Sequence, residues 1–245
     1  MGKGKLKKFN EMKGFDHVIQ VPFHLIEKDD FHLKGKWSGE FFKNENPLIL
    51  ELGCGKGEYT VELATKNPHI NYIGVDIKGA RLWKGAKLAL QRGLKNVAFL
   101  RTNIELIEQF FGADEVAEIW LTFPDPQMKK TRKRLTSTTF LNKYRNFLKP
   151  GGVIHLKCDS NFQYTYTRTM VLLNKFEIIA DSDDVYEWEH LDDTLRIRTF
   201  YEKQWLDRGI KIKYLAFKLH DGEFREPTIE IERDEYRSFG RTARE

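Results

Sequence analysis

The feature that most constrains the fold is a strand-like run that breaks into glycines and then into a helix-like segment. Residues 47–64 read PLILELGCGKGEYTVELA. The apolar run up to Leu52 is typical of a buried strand. Glycines at three alternate positions, Gly53, Gly55 and Gly57, allow a sharp turn and let a ligand touch bare backbone. The helix start that follows presents unpaired N–H groups. The sequence therefore predicts a strand–turn–helix cradle for a nucleotide-like ligand.

Glu51, two positions before the first glycine, indicates which ligand the cradle holds. A carboxylate at the end of the strand repels the phosphates of a dinucleotide and attracts an ammonium or sulfonium group. A close charge pair of this kind is worth about 1–4 kcal/mol. S-adenosylmethionine carries both cationic groups, so we predict it as the cofactor. A glycine turn that binds no ligand remains the alternative.

Strand-like and helix-like segments alternate from this cradle to about residue 218. The predicted strands cover residues 47–52, 71–77, 97–103, 117–123, 152–157, 176–180 and 211–218. A helix over residues 136–148 is predicted to stop at the Lys-Pro-Gly-Gly run of residues 149–152. Repeated βα units predict an α/β fold with a mostly parallel sheet and helices on both faces.

The 245 residues suffice for one α/β domain with a sizeable core. We divide the chain into a basic arm and N-terminal wrap at 1–46, the core domain at 47–220 and a charged C-terminal tail at 221–245. The tail is either an appended arm or disordered. Residues 1–14 carry many lysines and predict a flexible arm, for which a solubilising role and contact with RNA both remain open.

Cellular location and partners follow from apolar runs, cysteines and charge. No apolar run approaches the roughly 20 residues that span a bilayer. The N-terminus lacks the apolar region of a signal peptide, so we expect a cytoplasmic protein. Cys54 and Cys158 stand in no metal-type spacing and predict reduced thiols that hold no metal. Contact with nucleic-acid phosphates is favoured by a run of cationic residues: Lys129, Lys130, Arg132, Lys133 and Arg134.

Polar side chains follow successive predicted strands, where ligands of such a sheet bind. Asp76 can accept both hydroxyls of a ribose. Asn103 can read an adenine edge, although a structural turn explains it nearly as well. Asp125 lies between two prolines, and Asp159 follows the fifth strand. One acid after a strand is commonly a helix cap, but the whole series is typical of a binding site.

Six motifs carry a resemblance to a known family. They are KGKW at 34–37, LELGCGKG at 50–57, NYIGVD at 71–76, FPDPQMKKTRKRL at 123–135, HLKCDS at 155–160 and TFYE at 199–202. With these motifs the chain resembles the bacterial tRNA (guanine-N7)-methyltransferases over about residues 34–218. The chain departs from the family where Gln127 and Met128 replace the usual Trp-Pro after the PDP motif. We expect this difference to affect only the local packing and any stacking contact that the tryptophan would make.

The resemblance implies a Rossmann-like class I methyltransferase fold with an antiparallel last strand. Its cofactor contacts fall on Glu51, Asp76, Asn103 and Asp125, with Gly53 and Gly55 supplying the bare backbone of the turn. Asp125 is also the catalytic residue, in the sense that it positions the reactants. The implied tRNA contacts are Lys129, Asp159, Thr199, Phe200, Tyr201 and Glu202. The implied substrate is the variable-loop guanosine at position 46 of tRNA, no metal is required, and the oligomeric state stays open.

Guanine N7 has an in-plane lone pair, so it can attack a methyl group without first losing a proton. The expected work of the enzyme is alignment and electrostatics. Glu202 could accept the two hydrogens on the pairing edge of guanine, or it could be a helix acid that favours the dipole. Three other functions are alternatives for such a chain: an exocyclic-amine methyltransferase, a dinucleotide-dependent oxidoreductase and an RNA-binding module with an inactive pocket. The Asp125-Pro126-Gln127 turn disfavours the first, and the spacing of the glycines disfavours the second. The presence of all the acids expected for the cofactor site disfavours the third.

Overall fold

Eight strands form one sheet in the order β1-β4-β3-β2-β5-β6-β8-β7. The structure is a computed structural model that describes residues 3–21 and 31–238. All neighbouring strands pair in parallel except β8, which is antiparallel to both β6 and β7. The predicted parallel sheet with an antiparallel last strand is therefore confirmed. The strands are β1 Val18–Gln20, β2 Leu48–Leu52, β3 Asn71–Val75, β4 Val97–Arg101, β5 Val116–Thr122, β6 Leu148–Cys158, β7 Glu177–Ser182 and β8 Lys213–Lys218.

Helices cover both faces of this sheet. The described helices are α1 Lys3–Met12, α2 Glu58–Lys66, α3 Gly79–Gln91, α4 Thr138–Tyr144, α5 Asn161–Leu173, α6 Phe200–Leu206 and the single turn α7 Glu235–Ser238. A π-helical turn spans Trp37–Phe42, and short 3₁₀ helices span Ile104–Gln109 and Thr131–Lys133. Within the described ranges, no helix is long and apolar enough to cross a membrane.

The central strand β2 shows why the sheet needs helices on both sides. All its residues are buried, and they alternate between two cores. Leu50 packs into the core that contains Tyr144 of α4 and Tyr166 of α5. Ile49 packs into the opposite core with the side chains of α1, α2 and α3. Burial of each such aliphatic side chain is worth about 1.5–3 kcal/mol, so both faces of the strand favour a covered sheet.

Close backbone packing holds the glycine turn against α3. Gly57 has φ +68° and caps α2. A Cβ at Gly85 of α3 would lie 2.7 Å from the carbonyl oxygen of Lys56 and 2.9 Å from Cα of Gly57. A side chain at Gly85 would therefore push α3 away from the turn, and the turn would lose its support.

The N-terminal segment is a helix, so the predicted flexible arm is wrong for residues 3–12. Helix α1 packs on α3 through Met12, which is buried, and Trp83 donates from Nε1 to Glu11 at 2.9 Å. The Nζ of Lys8 lies 4.9 Å from the Trp83 ring centroid. Phe9 and Met12 follow helical spacing, which the high lysine content obscured. Part of the predicted N-terminal wrap, residues 22–30, lies outside the described residues.

Two further boundaries differ from the prediction. Helix α4 ends at Tyr144, and the predicted stop at 149–152 instead lies inside β6. Phe147 and Leu148 are buried, and the Phe147 carbonyl accepts from Val116 N at 3.0 Å, so the chain has already joined the sheet there. The C-terminal segment is ordered against the body of the protein as far as residue 238. We keep the division at residues 46 and 220 as a proposal.

Candidate active site

A cleft of about 1240 Å³ lies at the carboxyl ends of β2, β3, β4 and β5. The parallel strands bring Gly53, Asp76, Asn103 and Asp125 to this edge, as their places in the sequence predict. Later parts of the chain also line the cleft: Tyr201, Trp205, Arg233 and Tyr236. Ligands of open α/β sheets bind at this position, so the cleft is the candidate active site.

The glycine turn and Asp76 form one wall of the cleft. Gly53 N and Cys54 N donate to the Val75 carbonyl at 2.8 and 3.0 Å, which folds the turn back on β3. Asp76 accepts from Gly55 N at 2.9 Å and from Lys78 N at 2.6 Å, one bond on each carboxylate oxygen. These bonds fix the carboxylate, and each oxygen keeps acceptor capacity for a hydroxyl group of a ligand.

Glu51 lies beneath the turn and is only 3% exposed. Its Oε2 accepts from Thr60 N at 2.9 Å and from the Thr60 hydroxyl, and its Oε1 accepts from the Thr122 hydroxyl. Burial raises the pKa of Glu51 to about 7, although the threonine bonds oppose this shift. The full negative charge assumed from the sequence is therefore reduced near neutral pH. Contact between Glu51 and the cofactor stays a prediction.

Asn103 and Asp125 both occupy turns that follow strands. Asn103 caps the 3₁₀ helix, since its Oδ1 accepts from Glu105 N at 3.2 Å. Asp125 is exposed, and its Oδ1 accepts from Gln127 N at 3.0 Å. Phe123 and Gln127 have φ values of +51° and +47°, so two left-handed residues flank Asp125. Such conformations cost about 1–3 kcal/mol each and are frequent at functional sites.

The basic run divides into a surface part and a buried part. Lys129, Lys130 and Lys133 line the cleft, and Lys133 forms an ion pair with Glu105. Arg134 is buried, so its sequence-based assignment to a phosphate-binding cluster is wrong. Its guanidinium lies 4.7 and 4.4 Å from the ring centroids of Phe162 and Tyr166 and donates to the Gln127 and Met128 carbonyls. Arg134 thus supports the turn from below.

The TFYE motif forms the start of α6. Thr199 and Glu202 make a reciprocal capping box, with Glu202 N donating to Thr199 Oγ1 at 3.1 Å and Thr199 N to Glu202 Oε2 at 3.2 Å. Glu202 is fully buried, where Lys157 Nζ and the Tyr186 hydroxyl each lie 2.7 Å from its Oε1. In this structure Glu202 thus makes the contacts expected of an acid in the first turn of a helix. A contact between Glu202 and tRNA stays a prediction.

The neighbouring aromatic residues of α6 behave differently. Phe200 is 47% exposed, and Lys56 Nζ lies 3.4 Å from its ring centroid. Tyr201 lines the cleft, with Lys56 Nζ 5.4 Å from its ring centroid. Glu58 accepts from Phe200 N at 2.9 Å, which ties the helix to the region of the glycine turn. Phe200 and Tyr201 are therefore placed where a bound nucleic acid can reach them.

Asp159 is only 1% exposed, and the Tyr236 hydroxyl donates to its Oδ2 at 2.8 Å. Its predicted tRNA contact remains untested. Sequence reasoning missed Trp205, Arg233 and Tyr236 as cleft residues. Trp205 follows Tyr201 by four positions on one helix face, which is a usable signal. The charged tail carried no comparable signal for Arg233 or Tyr236.

Comparison with known proteins identifies the family. A family model described as "Putative methyltransferase" matches residues 45–215. A tRNA (guanine-N(7)-)-methyltransferase of Bacteroides thetaiotaomicron is 56% identical over 245 residues, which cover 100% of this chain and 97% of the relative. The chain belongs to the tRNA (guanine-N7)-methyltransferase family. A family member from Clostridium novyi is 35% identical, with 76% of this chain and 87% of the relative covered.

Solved structures support the fold of this family member. The 16S rRNA methyltransferase KamB matches with a TM-score of 0.58 and 14% identity, covering 75% of this chain and 93% of that one. An antibiotic-related methyltransferase matches with a TM-score of 0.57 and 15% identity, covering 84% and 98%. At these identities the likeness concerns the fold, and it confirms the class I methyltransferase architecture predicted for the chain.

The residues present fit S-adenosylmethionine, the predicted cofactor, which membership of a methyltransferase family supports. Gly53 has φ +82°, and a Cβ there would meet no atom within 4 Å, so bare backbone faces the cleft. Asp76 offers a fixed carboxylate to ribose hydroxyls, and the acids under the turn disfavour the phosphates of a dinucleotide. In the described part of the chain, no group of three or more His, Cys, Asp or Glu side chains could hold a metal ion.

Proposed function

We propose that the protein transfers the methyl group of S-adenosylmethionine to N7 of a guanosine in tRNA, at position 46 of the variable loop. The observation that carries this proposal is one cleft lined by Gly53, Asp76 and Asp125 and by a lysine-rich rim of Lys129, Lys130 and Lys133. The activity named for relatives above 50% identity supports the choice of N7 and of tRNA.

Gly53, Gly55, Asp76 and Asn103 would hold the cofactor, with Glu51 beneath the turn. The cofactor supplies an electrophilic methyl group on a cationic sulfur. Asp76 is held by two backbone N–H groups, so it can bind ribose hydroxyls without reorganising. Asn103 keeps its side chain at the exposed end of the 3₁₀ helix, where an adenine edge can be read.

Guanine N7 attacks the methyl carbon with its in-plane lone pair. In this transfer the N7–carbon bond would form as the sulfur–carbon bond breaks, and the positive charge would pass from the cofactor to the purine. Since N7 carries no proton, the chain needs no general base for this step. Asp125, exposed at the junction of the two halves of the cleft, positions the base and stabilises the charge that develops on it.

The tRNA backbone lies along the lysine-rich rim. Lys129 and Lys130 are exposed there, Tyr201 at the start of α6 lines the same cleft, and its neighbour Phe200 is exposed. Phosphate contacts position a nucleic acid without reading its sequence, so the rim supplies affinity and the cleft supplies selectivity. A tRNA substrate places this activity in the cytoplasm.

The test compares methyl transfer to unmodified tRNA with transfer to a tRNA in which one atom of the target base, N7, is replaced. The full chain is incubated with labelled S-adenosylmethionine and unmodified tRNA, and the product is mapped by cleavage at 7-methylguanosine. We expect one modified base, at position 46. A matched tRNA with 7-deazaguanosine at that position keeps the shape but lacks N7, and it should accept no label. Label on the 7-deaza substrate, or on an exocyclic amine, would contradict the proposal.

A further inference from the structure

The C-terminal strap, which we define as residues 221–236, returns from the last strand to the cleft. Arg225 and Asn174 exchange two hydrogen bonds, of 2.6 and 2.9 Å. Glu226 accepts from Thr138 N at 2.8 Å and from the Tyr166 hydroxyl at 2.6 Å. The strap is thus attached to the ends or sides of two helices, and its path is determined by side-chain bonds to the body of the protein.

The last attachment point lies at the start of α5. Asp234 is buried, accepts from Phe162 N at 3.1 Å and receives the Ser160 hydroxyl. Two positions later, the Tyr236 hydroxyl donates to Asp159 Oδ2 at 2.8 Å and to its carbonyl at 3.1 Å. Asp159 therefore orients the Tyr236 ring and acts as a positioning residue. The burial of Asp159 agrees with this role.

Tyr236 meets Trp205 of α6 at the wall of the cleft. The two ring centroids are 5.4 Å apart, with an interplanar angle of 66°. The guanidinium of Arg208 lies 4.9 Å from the Trp205 centroid and 5.8 Å from the Tyr236 centroid, which supports the pair from one side. Both rings line the same cleft as Asp125. The pair is therefore an aromatic part of the cleft lining.

Enzymes that do chemistry on a nucleobase commonly take that base out of its stack. The extruded base loses stacking contacts, and an aromatic side chain can replace them because every base has a π face. Recognition through stacking also leaves N7, which lies in the ring plane, accessible to the methyl donor. The Trp205–Tyr236 pair has the chemistry and the location for this role.

We propose that the Trp205–Tyr236 pair is the stacking surface for the extruded guanine, and that the C-terminal strap completes the substrate half of the site. This inference rests on the proposed function. Arg233, exposed on the strap and lining the cleft, contacts the phosphates that flank the extruded nucleotide. The tail that the sequence left without a role is then part of the active site.

The experiment measures single-turnover methyl transfer with saturating S-adenosylmethionine for Trp205→Ala and Tyr236→Ala. We expect a rate at least about tenfold below wild type, because stacking by one aromatic ring accounts for roughly that factor. The affinity for S-adenosylmethionine, measured by calorimetry, should stay unchanged. Trp205→Phe keeps a ring and should recover most of the rate. Trp188→Ala is the matched control, since Trp188 is half-buried and lines a separate cavity.

A spectroscopic signature separates stacking from support of the fold. With 2-aminopurine at the target position of tRNA, the wild-type complex should quench its fluorescence, and Trp205→Ala should leave it brighter. Trp205→Leu keeps an apolar side chain but has no π face. If Trp205→Ala is unstable, Trp205→Leu is used for the same fluorescence measurement. Wild-type rates and unchanged quenching in both alanine variants would overturn the inference while the proposed function stands. A wild-type protein that methylates no tRNA guanine would overturn both.

Discussion

At the scale of single residues, Glu51 shows how burial changes the chemistry of a predicted site. Three donors from Thr60 and Thr122 satisfy its carboxyl oxygens, and burial still raises its pKa to about 7. The folded protein therefore binds a proton at Glu51 that the unfolded chain has released. A cation bound beside the turn would favour the ionised form of Glu51.

Glu51→Gln should change the pH dependence of stability. Because the pKa is raised in the folded state, the wild-type protein loses stability as pH rises from about 4.5 to about 7. The loss is about 3 kcal/mol and is absent in the glutamine variant. Urea unfolding at pH 5 and pH 8 measures the difference. Glu223→Gln, at an exposed position, is the control, and identical pH profiles for Glu51→Gln and wild type would refute the shifted pKa.

Asp125→Asn should slow methyl transfer without disturbing the turn. The asparagine carbonyl can still accept from Gln127 N, but the charge that stabilises the developing purine cation is lost. We expect single-turnover transfer to fall about tenfold to a hundredfold, since such bonds are worth about 1.5–3 kcal/mol, with tRNA affinity nearly retained. Asp114→Asn, exposed before the amino end of β5, is the matched control. A wild-type rate would assign Asp125 a purely structural role.

At the scale of elements, α6 connects the substrate wall to both the sheet and the glycine turn. Lys157 at the end of β6 pairs with Glu202 and donates to the carbonyls of Leu195 and Ile197 at 2.7 and 2.9 Å. Lys56 and Glu58 hold Phe200 from the cofactor side. The glycine turn and the start of α6 are therefore in direct contact.

Lys157→Met should destabilise the protein by about 3–5 kcal/mol, because Glu202 is left as an uncompensated buried charge. Denaturant unfolding measures the loss. Lys218→Met is the control, since its pair with Glu177 is partly exposed and contributes at most about 1 kcal/mol.

The double variant with Lys157→Met and Glu202→Gln removes both charges and should regain part of the stability. If Lys157→Met has the same midpoint of denaturant unfolding as the wild type, the buried pair contributes nothing to the stability of the protein. If the stabilised double variant also recovers tRNA methylation, Glu202 acts through the fold; persistent inactivity would favour contact with the base.

At the scale of the whole molecule, the cleft is lined by more cationic side chains than acidic ones, the acids being Asp76, Glu105 and Asp125. The chain has a net charge of +5, and Lys78, Arg81, Lys129, Lys130, Lys133 and Arg233 all line the cleft. Binding of RNA to such a rim releases counterions, so affinity should fall steeply with salt. Lysines at the opposite edge, such as Lys149 at the amino end of β6, are far from this rim.

Lys130→Ala with Lys133→Ala should reduce the slope of log affinity against log salt by up to about one unit for each lost phosphate contact. The pair Lys66→Ala with Lys149→Ala removes the same charge from the far ends of α2 and β6 and should leave the slope near wild type. Filter binding of tRNA over a salt series gives both slopes. Equal slopes in the two double variants would show that Lys130 and Lys133 do not contact the RNA.

The amino-acid sequence by itself determined the cradle, the parallel sheet and the edge at which the site lies. These features depend on local periodicity and on one geometric rule, that the carboxyl ends of parallel strands meet at one edge. Gly53, Asp76, Asn103 and Asp125 were therefore placed together correctly, although their contacts with ligands remain to be tested. The antiparallel last strand, the family and the cofactor followed from the motifs.

The tertiary structure alone decided which predicted residues face the cleft and which support it. Glu51 accepts a hydrogen bond from Thr122, 71 positions away, and Tyr236 reaches Asp159 across 77 positions. Glu202 is buried because Lys157 of β6 meets it there. No local pattern encodes such pairs, since the energy of a buried charge or hydrogen bond depends on partners that only the folded chain brings together.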